Sequence, residues 1–190
     1  MQSEVILMQQ YIALLRGINV GGNNKIAMSA LKDMFESQGF KAVRTYINSG
    51  NVVFESDEKD LSWLRDQLEQ EVEAVFSLRI RIVVLVGDDL VESLDYAHAI
   101  WGVDPDYIHN ALFMIPPFQV GELMDALGYF NAEYDIISYY KNIIFWSTKR
   151  EHYNRSKYAK MAGLSVYRHV TIRNANTTRK LKGMVEGIDI

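Results

Sequence analysis

The chain has 190 residues, 48% hydrophobic and 23% charged, with a net charge of −4 and no cysteine. That is ample material for one large core or two small ones. The missing cysteines exclude a disulfide framework, a thiolate metal site and a cysteine nucleophile, and the acidity argues against a general nucleic-acid binder.

Residues 1–10, "MQSEVILMQQ", have no clear period and are read as an extension or tag remnant, with Met8 as a natural start. "YIALL" (11–15) reads as a strand. "MSALKDMFESQG" (28–39) places Leu31, Met34 and Phe35 at helical spacing, with Gly39 as a stop. "AVRTYI" (42–47) and "NVVFES" (51–56) flank "NSG" and predict a hairpin. Leu61, Leu64, Leu68, Val72 and Val75 form one stripe of a helix over 60–76. "RIRIVVLVG" (79–87) turns from alternating to continuously apolar, as a buried strand does.

Residues 88–108 form a connection that opens with a helix. "NALFMI" (110–115) is a strand, "VGELMDALG" (120–128) a short helix, and "EYDIISYY" (133–140) and "NIIFWST" (142–148) are strands. "RSKYAKMAG" (155–163) is a short helix, "YRHVTIR" (167–173) alternates like a strand, and Leu181, Met184, Val185 and Ile188 make the stripe of a last helix. The order β-α-β-β-α-β thus comes twice. It predicts an α+β fold of two tandem ferredoxin-like (α-β plait) units, over 11–87 and 109–190, with a C-terminal helix.

No run reaches the roughly 18 apolar residues of a membrane span, and no secretory pattern opens the chain. It reads as a cytoplasmic protein without a membrane partner. Its charge is uneven: Lys149 to Lys182 holds ten Lys/Arg and the single acid Glu151, and the remainder holds 10 Lys/Arg and 23 Asp/Glu. Either the basic segment meets an anionic partner or it packs against the acidic body.

"LLRGINVGGNNKIAM" (14–28) puts Gly17, Gly21 and Gly22 between a strand and a helix, where backbone N–H groups can face an anion. Arg16 and Lys25 supply charge, and Asn19, Asn23 and Asn24 supply donors and acceptors. It is neither a Walker A loop nor a dinucleotide fingerprint, and on composition alone a plain turn is the first reading. In the hairpin, Arg44 and Tyr46 share a polar face that leads to an amide-rich tip. Arg155, Ser156 and Lys157 sit at a helix start. Arg173, Asn174, Asn176 and Thr177 sit where a strand meets the last helix, with Asn176 or Thr177 as its N-cap.

Other matches carry less. Tyr153-x-x-x-Lys157 lacks the glycine fingerprint of a dehydrogenase, and Ser29-x-x-Lys32 lacks the companion motifs of a penicillin-binding protein. His98, His109, His152 and His169 are too scattered for a metal site. Asp88-Asp89 and Asp104-x-Asp106 suit caps and turns. No catalytic triad or acid–base pair stands out, so catalytic residues, cofactor and oligomeric state stay open.

"ALLRGINVGGNNKIAM", "VRTYINSGNVVF" and "TIRNANTTRKL", in this order, resemble the bacterial domain of unknown function 1697 family, and "RSK" at 155–157 is similar to its pattern before the final strand. The chain departs from that pattern at "REHYN", where many members carry a glycine-rich approach, and at Ala175, where many carry an aromatic. The resemblance implies two ferredoxin-like halves and no established activity. It singles out Arg16, Gly17, Asn19, Gly21, Gly22, Lys25, Tyr46, Ser49, Gly50 and Asn51. From the later segments it adds Arg155, Ser156, Lys157, Arg173, Asn174, Asn176 and Thr177.

The expectation is a basic, Asn/Gly-rich cleft between two halves for a small anionic ligand, a nucleotide or phosphorylated metabolite. Arg16, Lys25, Arg155, Lys157 and Arg173 neutralise charge there, and Asn19, Asn51, Asn174 and Asn176 orient. Any catalysis fits electrostatic stabilisation better than covalent chemistry. A single-stranded RNA-binding module and a non-catalytic regulatory or scaffold protein are the alternatives.

Overall fold

The computed structural model describes residues 7–188. The chain divides into two compact units, one of residues 1–90 together with 181–190 and one of residues 91–180. Residues 1–6 of the expected extension lie outside the described residues, whereas Gln9 and Gln10 open the first strand.

In the first unit, β1 (Gln9–Leu15) lies between β3 (Asn51–Ser56) and β4 (Ile82–Val86), and β2 (Lys41–Tyr46) extends the sheet beyond β3. Every neighbouring pair is antiparallel. Helices α1 (Met28–Ser37) and α2 (Leu61–Phe76) present the stripes read from their spacing. Leu31, Met34 and Phe35, with Leu64, Leu68 and Val72, join Tyr11, Ala13, Leu15, Val52 and Phe54 in one core. Val75, the last residue of the expected stripe, is exposed, and Phe76 packs on the core in its place. The Asp60 carboxylate caps α2 by accepting the Ser62 and Trp63 N–H groups.

The strand expected over 79–87 is shorter. Arg79 and Arg81 lean back to Glu73 and Glu69 on α2, and the Glu69 carboxylate takes the Ile82 N–H at 2.9 Å. At the other end, Gly87 opens α3 (Gly87–Ser93).

In the second unit, β5 (Tyr107–Met114) lies between β7 (Ile143–Lys149) and β8 (Val170–Asn174), with β6 (Asp135–Tyr140) beyond β7. All neighbours are again antiparallel. Helix α4 (Val120–Leu127) packs Leu123 and Leu127 on Leu112, Met114, Ile144 and Trp146, and Met161 of the short α5 (Lys157–Met161) joins them. The last helix, α6 (Ala175–Glu186), follows β8 directly. The fold is α+β, with two four-stranded antiparallel sheets and several helices. Among the described residues no helix is long and apolar enough to cross a membrane.

Candidate functional site

Two of the sequence motifs meet in the first unit. Between β1 and α1 the backbone takes positive φ at Gly17, Asn19, Gly21, Gly22 and Asn24, which coils residues 16–26 into a tight loop. The Asn24 amide closes it by donating to the Gly17 carbonyl at 3.0 Å. Asn19 donates to the Ile26 carbonyl at 2.9 Å and to the Asn48 carbonyl at 2.8 Å, and its oxygen accepts the Ile26 N–H at 2.9 Å.

Gly50 completes the join. It lies at φ 75° with its carbonyl accepting the Leu15 N–H, and a Cβ there would stand 2.8 Å from the Leu15 Cβ and the Ile18 side chain. Only glycine allows the hairpin tip to press so closely on β1.

These bonds define what the candidates do. Asn51 is fully buried and donates to the Tyr46 carbonyl and the Ser49 hydroxyl, so it shapes the tip from within. The Arg16 N–H donates to the Arg81 carbonyl, with its side chain half-buried. Lys25, Gly21 and Gly22 are exposed.

A cleft of about 420 Å³ opens here, walled by Asn19, Gly22, Lys25, Ala27, Met28 and Asn48. It faces the start of α1, where Ala27 provides no side-chain cap and the first turn holds no acid. Uncapped N–H groups, the positive helix end and a lysine favour an anion.

In the second unit the candidates separate into two places. Ser156 is fully buried as the N-cap of α5, accepting the Tyr158 N–H, and it donates to Asp135 Oδ1 at 2.7 Å. The same oxygen accepts from Trp146 Nε1 at 2.9 Å and Thr148 Oγ1 at 2.8 Å. Asp135 thereby fixes the turn that carries exposed Arg155 and half-buried Lys157.

Arg173 lies on β8 opposite Ala111 and donates to the Ile172 carbonyl. It is nearly buried, and desolvation brings its pKa down to about 10. The cap of the last helix differs from expectation. Asn174 Oδ1 accepts the Thr177 N–H at 2.8 Å, so Asn174 does what was assigned to Asn176 or Thr177, because β8 passes into α6 without an intervening turn. Asn174 and Asn176 are exposed and line a cleft of about 280 Å³ with Gly102, Tyr107, His109 and Arg150.

That cleft leads to residues the sequence reading set aside. His98 and His109 are far apart in sequence, but both reach the buried Ser147: His109 Nδ1 is 2.6 Å and His98 Nε2 3.2 Å from its hydroxyl. The β5–β7 register places His109 directly opposite Ser147, a cross-strand pairing with no local signal in the sequence. Among the described residues no group of three His, Cys, Asp or Glu side chains is placed to hold a metal ion.

No curated protein matches the chain. Among solved structures, the conserved bacterial protein SP0830 from Streptococcus pneumoniae is similar, with 30% identity and a TM-score of 0.84 over 94% of this chain and 99% of that one. Residues 8–145 match the model of the family described as "Protein of unknown function (DUF1697)". That match takes in the first loop and the hairpin tip, while the Arg155–Lys157 and Arg173–Thr177 segments lie beyond it. Motif, family model and structural likeness agree, and the chain belongs to this family.

Proposed function

We propose that the chain binds a small anionic ligand, a nucleotide or a phosphorylated metabolite, in the loop cleft of the first unit, and that both units are ferredoxin-like. The order β1-α1-β2-β3-α2-β4 with sheet order β2-β3-β1-β4 supports the fold reading, as does the matching order β6-β7-β5-β8 in the second unit.

The observation that carries the ligand reading is the wall of the cleft itself. An exposed Lys25, Gly22 at positive φ and the uncapped start of α1 border one space of about 420 Å³. The glycine lets backbone N–H groups come close to a phosphate, and the lysine adds a compact charge.

The regulatory or scaffold reading has its own support. Asn19, Asn24 and Asn51 spend their amides on backbone carbonyls within the first unit, so they already brace the loop without a ligand. The two readings part at Lys25, which a brace does not need. The RNA reading needs an open aromatic sheet face, whereas Tyr11, Ile12, Ala13 and Leu14 are buried in succession along β1, as are Ile144, Phe145 and Trp146 along β7.

A thermal-shift series with inorganic phosphate, nucleoside mono- and triphosphates and sugar phosphates tests the proposal. At about 100 times its Kd, a ligand adds roughly 2.7 kcal/mol. The shift is expected with the parent chain and absent with Lys25→Glu. No shift with any of these compounds, or an equal shift in the variant, overturns the reading.

A further inference from the structure

The cleft at the β8–α6 junction of the second unit carries two opposite charges that do not meet. Arg150 and Asp104 both line it, yet among the described residues neither makes an ion pair. Backbone groups hold each of them in place. Arg150 Nε donates to the Pro105 carbonyl at 2.8 Å, and its two Nη groups have no bond among the described residues. Asp104 Oδ1 accepts the Asp106 N–H at 2.9 Å, and its second carboxylate oxygen is likewise unused.

Two asparagines add polar atoms to the same space. Asn174 spends Oδ1 on the Thr177 N–H, which leaves its amide nitrogen over. Asn176 makes no side-chain bond among the described residues. Val103, Ile108 and Ala175 supply an apolar side.

The walls are fixed without a ligand. Arg179 donates to the Gly102 carbonyl at 2.6 Å and to the Trp101 carbonyl at 3.0 Å, and His109 Nε2 donates to the Asp104 carbonyl at 2.7 Å. Gly102, at φ 71°, lets this segment close on α6. A Cβ there would stand 2.8 Å from the Arg179 guanidinium carbon and 3.0 Å from the Ala175 Cβ.

Charge and size then narrow the ligand. Lys149, next to Arg150, is taken by Glu151 at 2.9 Å. With His109 neutral, one guanidinium faces one carboxylate across the lining, whereas the first unit's cleft has Lys25 as its charged lining residue. A simple anion gains Arg150 but is opposed by Asp104, and a simple cation meets the reverse. A zwitterion satisfies both. The cleft's volume of about 280 Å³ is below the range of drug-sized pockets, which keeps the ligand small.

We infer that this cleft binds a free α-amino acid with a small side chain. Its carboxylate lies on the planar fork of Arg150 beside the Asn174 amide, and its ammonium group donates to Asp104. The site belongs to the second unit and does not depend on the ligand reading of the first.

NMR titration of the isotope-labelled full chain with L-alanine, and separately with acetate and with methylammonium, tests the site. L-Alanine is expected to move the amides of 102–105 and 174–176 to saturation, and each single-charge probe to bind about tenfold more weakly or worse. Asp104→Asn keeps an acceptor for the Asp106 N–H, and Arg150→Gln changes an exposed position. Each is expected to weaken L-alanine about tenfold. No saturable movement of these amides with L-alanine, L-serine or L-valine overturns the inference. So does acetate binding as well as L-alanine, or undiminished binding in either variant. Should a variant fail to fold, the order of the three probes on the parent chain decides.

Discussion

Asn19 donates its side-chain N–H to the Asn48 carbonyl at 2.8 Å, so one amide ties the β1–α1 loop to the tip of the β2–β3 hairpin. The same side chain bonds twice to Ile26. Asn19→Ala removes three bonds at a partly exposed site and is expected to lower stability by about 1–3 kcal/mol. Asn19→Asp, which keeps only the acceptor, falls between the two. Denaturant midpoints of the three proteins, at constant m-value, check the order.

Two glycines at positive φ make opposite demands. At Gly50 a Cβ meets Leu15 and Ile18 at 2.8 Å, while at Gly21 it meets nothing within 4 Å. Gly50→Ala combines backbone strain with overpacking and is expected to cost about 2–4 kcal/mol. Gly21→Ala carries the backbone term alone, about 1–2 kcal/mol. Equal losses of Tm in the two variants would contradict the close packing of the hairpin tip.

Ile47 adopts φ 45° although it is β-branched and half-exposed. Replacing it with glycine relieves the strain and is expected to raise stability by about 1 kcal/mol. A lower Tm for Ile47→Gly would mean that the exposed side chain holds the tip in shape.

Asp135 accepts three side-chain bonds on one oxygen at a buried position. Asp135→Ala strands those donors and is expected to cost about 3 kcal/mol or more, with faster exchange at 155–157. Asp135→Asn retains an acceptor and costs less. Exchange at 155–157 unchanged in the alanine variant would show that Ser156 holds the turn by its backbone alone.

The pH dependence of stability follows from His98. Its folded pKa lies below the ordinary 6.5, so as the pH falls through 6.5 the unfolded ring takes up a proton that the folded ring refuses. Stability is full above that value and declines below it until the folded ring also titrates. Glu92 and Glu151, whose pKa values are lowered first of all by hydrogen bonds from Tyr140 and Lys149, add losses only as the pH falls below 4.5. Urea midpoints between about pH 7.5 and about pH 5 are expected to fall in the parent chain and to stay flatter in His98→Gln.

Much of the fold was legible because its elements carry strong periods. The Leu64, Leu68 and Val72 stripe and the Leu31, Met34 and Phe35 stripe each encode one buried face, and the apolar run 82–86 encodes a strand buried on both. Errors arose where one side chain decided a boundary. Glu69 takes the Ile82 N–H and shortens β4 from its start, and Asn174 caps α6 two or three residues before the expected Asn176 or Thr177.

The candidate site was partly legible for the same reason. Glycine and asparagine marked the loop, but no spacing distinguishes an asparagine that meets solvent from one, like Asn51, whose amide is turned inward. The His98–Ser147–His109 chain depends on strand register, which a single sequence does not state locally.

The first unit is discontinuous along the chain, and this has a consequence for synthesis. Its compact body includes residues 181–188, with Leu181 fully buried and Val185 against Gly87. On the ribosome the continuous second unit has all of its residues before the first has its last. The half that begins first is completed last, and until then the place of Val185 beside Gly87 stands open to water and chaperones.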